Sequence, residues 1–248
     1  MRESKKSAVA LFMLGLCMLL LTGCMYPQEM RKEQQVATGE FVVVVQSAID
    51  QFQAKTHVLP IKNSEETTPI YEKYPIDFKK LKERSLISNV PANAFENGGS
   101  VIYVLVDVEA KPTVKMMDLT SFQKTVEVQK LVDEYKSKNN GQIPKGEAVS
   151  SAFYRIDFAK MNKKPIVAQS MYTRQVQLPF LMNDMGQVAI DYAEEMMRLI
   201  DKKSLQTSLN DKQDLRELLV RESYYVPARS YAYHWINGQP TPVMGVPM

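Results

Sequence analysis

Two stretches of this chain carry nearly the same message, "YPIDFKK" at residues 74–80 and "YRIDFAK" at 154–160. Upstream of each lies a second matching pair, "VQSAIDQFQAK" at 45–55 and "VQKLVDEYKSK" at 128–138, with Val, Gln, Asp and Lys shared and Ile/Val and Phe/Tyr exchanged. The two matches keep their order, at offsets of 83 and 80 residues. Self-similarity at a near-fixed spacing marks repeated structural units. Two copies predict a pseudo-symmetric pair rather than a solenoid, so a fold for one half of the chain has to serve the other half as well.

The four valines of "EFVVVVQSAIDQFQAK" argue for a strand, but Phe41, Val45, Ala48, Ile49 and Phe52 fall on one helical face. The second copy decides the matter, because Val128, Leu131, Val132 and Tyr135 form a plain amphipathic stripe. Each helix is followed by a proline, Pro60 in "VLPIK" and Pro144 in "QIPKG", which stops it and turns the chain. Strand-like pairs come next. "SVIYVLVDVEA" and "TVKMMDL" flank Lys111 and Pro112, while "VQLPFLM" and "QVAIDY" flank Asn183, Asp184, Met185 and Gly186. Asn, Asp and Gly supply hairpin geometry between β-rich runs. The expected fold class is α+β, with two tandem helix-plus-antiparallel-hairpin units followed by helices and a C-terminal β-hairpin.

The last third leaves the repeat. "YAEEMMRLIDK" and "NDKQDLRELLVRES" read as helices, the second capped by Asn210 or Asp211. In the closing "YYVPARSYAYHWINGQPTPV", Tyr231, Tyr233 and Trp235 alternate onto one face and Asn237-Gly238 supplies a hairpin turn. The resulting organisation is a leader over 1–23, a polar tether over 24–38, a first repeat over 39–119, a second over 120–192 and an extension over 193–248.

The leader comes from a basic start at Arg2, Lys5 and Lys6 and an apolar run from Ala8 to Leu21, a signal-peptide pattern. Fourteen apolar residues fall short of the about 20 that a bilayer-spanning helix needs. Removing the leader takes 31 basic and 28 acidic residues to 28 and 27. A nucleic-acid partner, which demands a clustered basic face, is therefore not expected. Cys17 leaves with the leader, so Cys24 is the one remaining cysteine and no intramolecular disulfide can form. The 225 remaining residues are enough to bury a core without such staples.

Catalytic signals are sparse. His57 and His234 are the only histidines, and the repeat places Asn140 where the first copy has His57. No metal or cofactor is expected, since a metal site recruits several ligands at recognisable spacing. HExxH, CxxC, GxSxG and phosphate-loop patterns do not occur. Asp77 and Asp157 could form a carboxylate pair if a pseudo-twofold brought them together. Each stands directly before "FKKL" or "FAKM", however, where it is expected to cap a helical turn. The aromatic set Tyr224, Tyr225, Tyr231, Tyr233 and Trp235 is the best candidate for a binding surface, with Tyr231, Tyr233 and Trp235 at its centre, since such rings supply contact area for glycans or protein partners. A half-buried strand yields the same alternation.

Three resemblances bear on function. The tetrapeptide "LTGC" at 21–24 resembles the lipobox of bacterial lipoproteins, which implies a diacylglycerol on the Cys24 sulfur, cleavage before Cys24 and retention on the outer face of the cell membrane. Two acyl chains are what stable anchoring requires. "LISNVPANAFENGGSVIYVLVD" resembles the globular half of type II secretion pseudopilins, which implies α+β architecture alone. The lipobox, the tandem helix-to-IDF segments and "DLRELLVRESYYVPARSYAY" together are similar to the YphF-like lipoproteins of endospore-forming bacteria. The expected function is that of a membrane-anchored, non-catalytic module binding an envelope protein or glycan. The alternative is a solute-binding lipoprotein of an ABC importer, a label that some members of that family carry. A hydrolase of wall or lipid is a third reading.

Overall fold

The computed structural model describes residues 28–244. The leader, the lipobox and Cys24 lie outside the described residues. The chain divides into two compact units, residues 1–43 and 44–248. The described part of the first is helix, so the stretch expected as a tether is helical from Gln28 onward. That helix, α1 (Gln28–Thr56), continues into the second unit, where Val45, Ala48, Ile49 and Phe52 are buried and Val44 is exposed. The valine run is a helix because only the 3.6-residue period buries this set together.

In the second unit a first motif follows the end of α1. The Thr56 hydroxyl donates to the Phe52 carbonyl at 2.7 Å, His57 adopts a left-handed φ of 59° and Pro60 begins an extended segment. Ile61 bridges Ile76, and the Asp77 N–H donates to the Pro60 carbonyl at 2.7 Å. The Asp77 carboxylate then caps α2 (Phe78–Glu83) by accepting from the Lys79 N–H. Strands β1 (Val101–Val106) and β2 (Thr113–Asp118) form an antiparallel hairpin from Val101↔Asp118 to Val106↔Thr113, and Pro75 bridges Val104 on the far side of β1.

The second motif makes the same bonds at the matching residues. After α3 (Leu119–Lys138) the Asn139 amide donates to the Tyr135 carbonyl at 2.8 Å, and Asn140 takes a left-handed φ of 54°. Asp157 N–H donates to the Pro144 carbonyl at 2.9 Å, and its carboxylate accepts from Ala159 N–H to start a single 3-10 turn, Ala159–Met161. Lys80 Nζ reaches the Ile61 carbonyl at 2.8 Å, and Lys160 Nζ reaches the Lys145 carbonyl at 2.6 Å. Gln46 grips the first hairpin next to its turn, donating to the Pro112 carbonyl at 3.0 Å and accepting from Val114 N–H at 2.8 Å. Gln129 grips the second in the same way, through the Gly186 carbonyl at 2.9 Å and Val188 N–H at 2.7 Å.

The motifs differ in sheet size. Where the first has isolated bridges, the second builds five strands: β3 (Lys145–Ser150), β4 (Phe153–Ile156), β5 (Val167–Gln169), β6 (Gln177–Asn183) and β7 (Val188–Ile190). Their order is β3-β4-β6-β5, with β7 pairing β6 off that path and every pairing antiparallel.

The extension supplies α4 (Ala193–Lys203), α5 (Arg216–Glu222) and the hairpin β8 (Ala232–Ile236) and β9 (Gln239–Val243), turned at Asn237 and Gly238 with φ of 52° and 77°. Two positive φ values in a two-residue loop make the type I′ turn that the Asn-Gly pair predicts. The expected cap of α5 is corrected. Asn210 accepts from Lys212 and Gln213 N–H in a turn of its own, and α5 starts beyond Asp214, whose carboxylate accepts from Arg216 N–H at 3.0 Å.

Between α5 and β8, residues 224–229 run as a strap along both hairpins. Met116 N–H donates to the Tyr224 carbonyl at 2.8 Å and Val226 N–H to the Met116 carbonyl at 2.9 Å, beside β2. Ile190 N–H then donates to the Arg229 carbonyl at 2.8 Å, beside β7. The larger core gathers Val128, Phe180, Ile190, Ile200, Leu219 and Tyr233 from α3, the five-stranded sheet and the extension. Among the described residues no helix is long and apolar enough to cross a membrane.

Candidate functional site

The expected aromatic binding surface is corrected at its centre. Tyr231 and Tyr233 are 6% and 0% exposed. The Tyr233 hydroxyl donates to an Asp191 carboxylate oxygen at 2.7 Å, and the Tyr231 hydroxyl donates to the Gln187 carbonyl at 2.7 Å with its ring edge-on to Phe153. Trp235 is half-buried against the larger core. The alternation seen in the sequence is that of a strand laying its rings inward. Tyr225 is also buried, which leaves Tyr224 as the exposed member of the set.

His57 is exposed at the end of α1 and His234 half-buried on β8. Asp77 and Asp157 each cap their own turn. Among the described residues no group of three or more His, Cys, Asp or Glu is placed to hold a metal ion.

Two clusters of buried charge lie where the motifs meet the strap and β8, and both escaped sequence reasoning because their members lie far apart in the chain. In the first, the Glu72 carboxylate accepts from Arg229 N–H at 2.7 Å, and the Arg229 Nε lies 3.8 Å from its other oxygen. The Arg229 guanidinium stacks 4.0 Å from the Phe122 ring centroid, a cation–π contact, and Arg229 itself takes a left-handed φ of 53°. Burial pushes the Glu72 carboxyl above its ordinary range, against the pull of the Arg229 N–H and the charges of Arg229 and Arg216. In the second cluster Asp191 is 4% exposed, pairs with Arg155 at 2.6 Å and accepts from Tyr233 Oη and Ala193 N–H. Burial and the adjacent Asp191 carboxylate push the Tyr233 hydroxyl well above its usual value, so it remains a donor. Nearby, Glu195 accepts from the Thr173 hydroxyl at 2.7 Å.

These groups fasten the strap and the extension to the two motifs. Lys115 does likewise from β2, donating to the carbonyls of Val220 and Ser223 at 2.5 and 2.6 Å, with burial drawing its ammonium below the usual lysine range. Buried charges persist only when they are paired and hydrogen-bonded.

The surface feature best suited to a partner is an open groove of about 550 Å³ along α3. Val126, half exposed, sits in it, with Lys130, Lys138 and Arg229 set against Asp133 and Glu134. An apolar spot rimmed by charges of both signs is the pattern of a protein-contact surface.

Residues 38–118 match the model of the YphF family N-terminal domain. The match runs from within α1 to the end of β2 and so takes in the whole first motif. No curated protein and no solved structure matches the chain. Over residues 38–118, and so across its first motif, the chain is similar to the N-terminal domain of the YphF family.

Proposed function

We propose that this protein is a lipid-anchored, extracytoplasmic, non-catalytic interaction module that binds another envelope protein through the groove along α3. The observation that carries the reading is the groove itself, with a half-exposed Val126 between cations and carboxylates on a helix whose inner face is committed to the core. Rims of both signs suit a protein better than a polyanionic glycan, which would meet Asp133 and Glu134 at a cost. The anchor rests on "LTGC" and its Cys24. The paired bonds of the two motifs support an origin by internal duplication. Val126 is the counterpart of Val43, at the offset of 83 that relates the two helices, and both valines are exposed.

The test is capture from membranes by the full-length protein, wild type against Val126→Asp. Val126 is exposed, so the charge leaves the melting temperature within a degree or two; surface changes of this kind cost about 0.5 kcal/mol or less. One envelope protein is expected to be retained by the wild type and lost at least tenfold with the variant. Equal retention by both forms removes the groove from the reading, and loss of membrane attachment in Cys24→Ala alone tests the anchor separately.

A further inference from the structure

A second, much smaller cavity lies where the end of β2, the start of α3, the strap and the segment after β5 converge. Asp118, Ser121, Gln169, Tyr172, Tyr192 and Ala228 are among the residues that line it. We infer that this cavity is a binding site for a single buried water molecule that joins the first hairpin, the second motif and the strap.

The Tyr172 hydroxyl carries the inference. It is buried and has no hydrogen-bond partner within the protein. Buried polar atoms are almost always satisfied, by protein or by ordered water. Burial also pushes Tyr172 well above its usual ionisation range, so its oxygen keeps the proton and presents a donor as well as an acceptor. The Tyr192 ring meets the Tyr172 ring edge-on at 5.9 Å, and its own hydroxyl is spent on the Ala228 carbonyl at 3.2 Å.

The surroundings choose the ligand. Asp118 accepts the Ser121 N–H with one oxygen at 2.7 Å, and a carboxylate has acceptor capacity beyond one such bond. The Gln169 amide donates to the Val176 carbonyl at 3.0 Å and keeps its own carbonyl oxygen as an acceptor. A ligand here must receive a proton from one neighbour and return one to another, which water does and a metal ion cannot. The cavity's volume of about 10 Å³ is the room that one water needs and leaves none for a solute.

The experiment is a crystal structure of the full-length protein at a resolution that places waters, together with thermal melts of wild type and Tyr172→Phe. One water is expected within hydrogen-bond distance of Tyr172 Oη and of a second lining oxygen. Tyr172→Phe should lose that density and melt several degrees lower, with near-native circular dichroism below the transition. A dry cavity overturns the inference. So does a variant as stable as wild type or more stable, since deleting a hydroxyl that bonds nothing relieves the fold. Density that refines as an ion on Asp118 rather than as water overturns it too.

Discussion

Glu72 is a single carboxylate on which much of the strap's attachment converges, and its chemistry makes that attachment depend on pH. It sits 7% exposed, holding the backbone of Arg229. Burial raises its folded-state pKa above that of the unfolded chain, so the native state holds the proton more tightly. Its contribution to stability is therefore complete below the unfolded carboxylate value, about 4.3, and is lost as the pH rises through the raised folded value. Glu72→Gln keeps an acceptor for Arg229 N–H and cannot ionise. Urea midpoints from pH 4 to 8 are expected to fall for wild type relative to the variant as the pH rises; parallel curves would show that Glu72 carries no raised pKa. Nothing in the sequence around Glu72 signals this role, because its partner lies 157 residues away. For Asp77 the sequence did signal a role, the cap of a helical turn, and Gln46 and Lys80 lie in the matched segments beside it. They recur as Gln129, Asp157 and Lys160, and each recurring side chain makes a bond that holds its motif together.

At the scale of elements, the hairpin turns show how much local chemistry the sequence discloses. Asn237-Gly238 announces the β8–β9 turn, and Gly238 has open space around the missing Cβ. Gly186, in the β6–β7 turn, has a φ of 83° and would bring a Cβ to 2.9 Å from Ile143 Cγ2. Alanine at either position meets the left-handed penalty of about 1–2 kcal/mol, but only Gly186→Ala adds a collision with a packed side chain. Gly186→Ala should lower the urea midpoint clearly more than Gly238→Ala, and equal losses would mean that Ile143 yields freely. The helices were legible from their stripes, except for the part of α1 before residue 39, and the strands of both hairpins from their β-rich runs. Strands β3 and β5 were not: Lys145–Ser150 is polar and largely exposed, and Val167–Gln169 is too short to show a period. The start of α5 was misplaced because Asn210 and Asp211 are competent caps; the helix instead begins after Leu215, with no side-chain cap, and the Asp214 carboxylate holds the N–H and guanidinium of Arg216.

For the whole molecule the strap decides whether the two motifs behave as one body. Its carbonyls at Tyr224 and Arg229 accept from Met116 on β2 and Ile190 on β7, so one short segment completes both sheet edges. Arg229→Ala removes the cation–π contact and the guanidinium beside the Glu72 carboxylate, a loss of about 1–2 kcal/mol. Hydrogen exchange at Met116 and Ile190 amides should then accelerate together. Acceleration at Ile190 alone would mean that each hairpin holds its edge independently. The helices past residue 40 and the caps on Asp77 and Asp157 could be inferred from neighbours in sequence. The strap could not, since "YYVPAR" carries neither alternation nor a turn signal that ties it to two distant strands.

The order of synthesis gives the strap a further meaning. Residues 224–229 leave the ribosome after the strands of both hairpins, so the edge of β2, complete at Asp118, and the edge of β7, complete at Ile190, both await a segment made later. Contacts of such long sequence separation form late. Until the strap arrives, those two edges depend on whatever keeps bare strand edges from pairing with those of their neighbours.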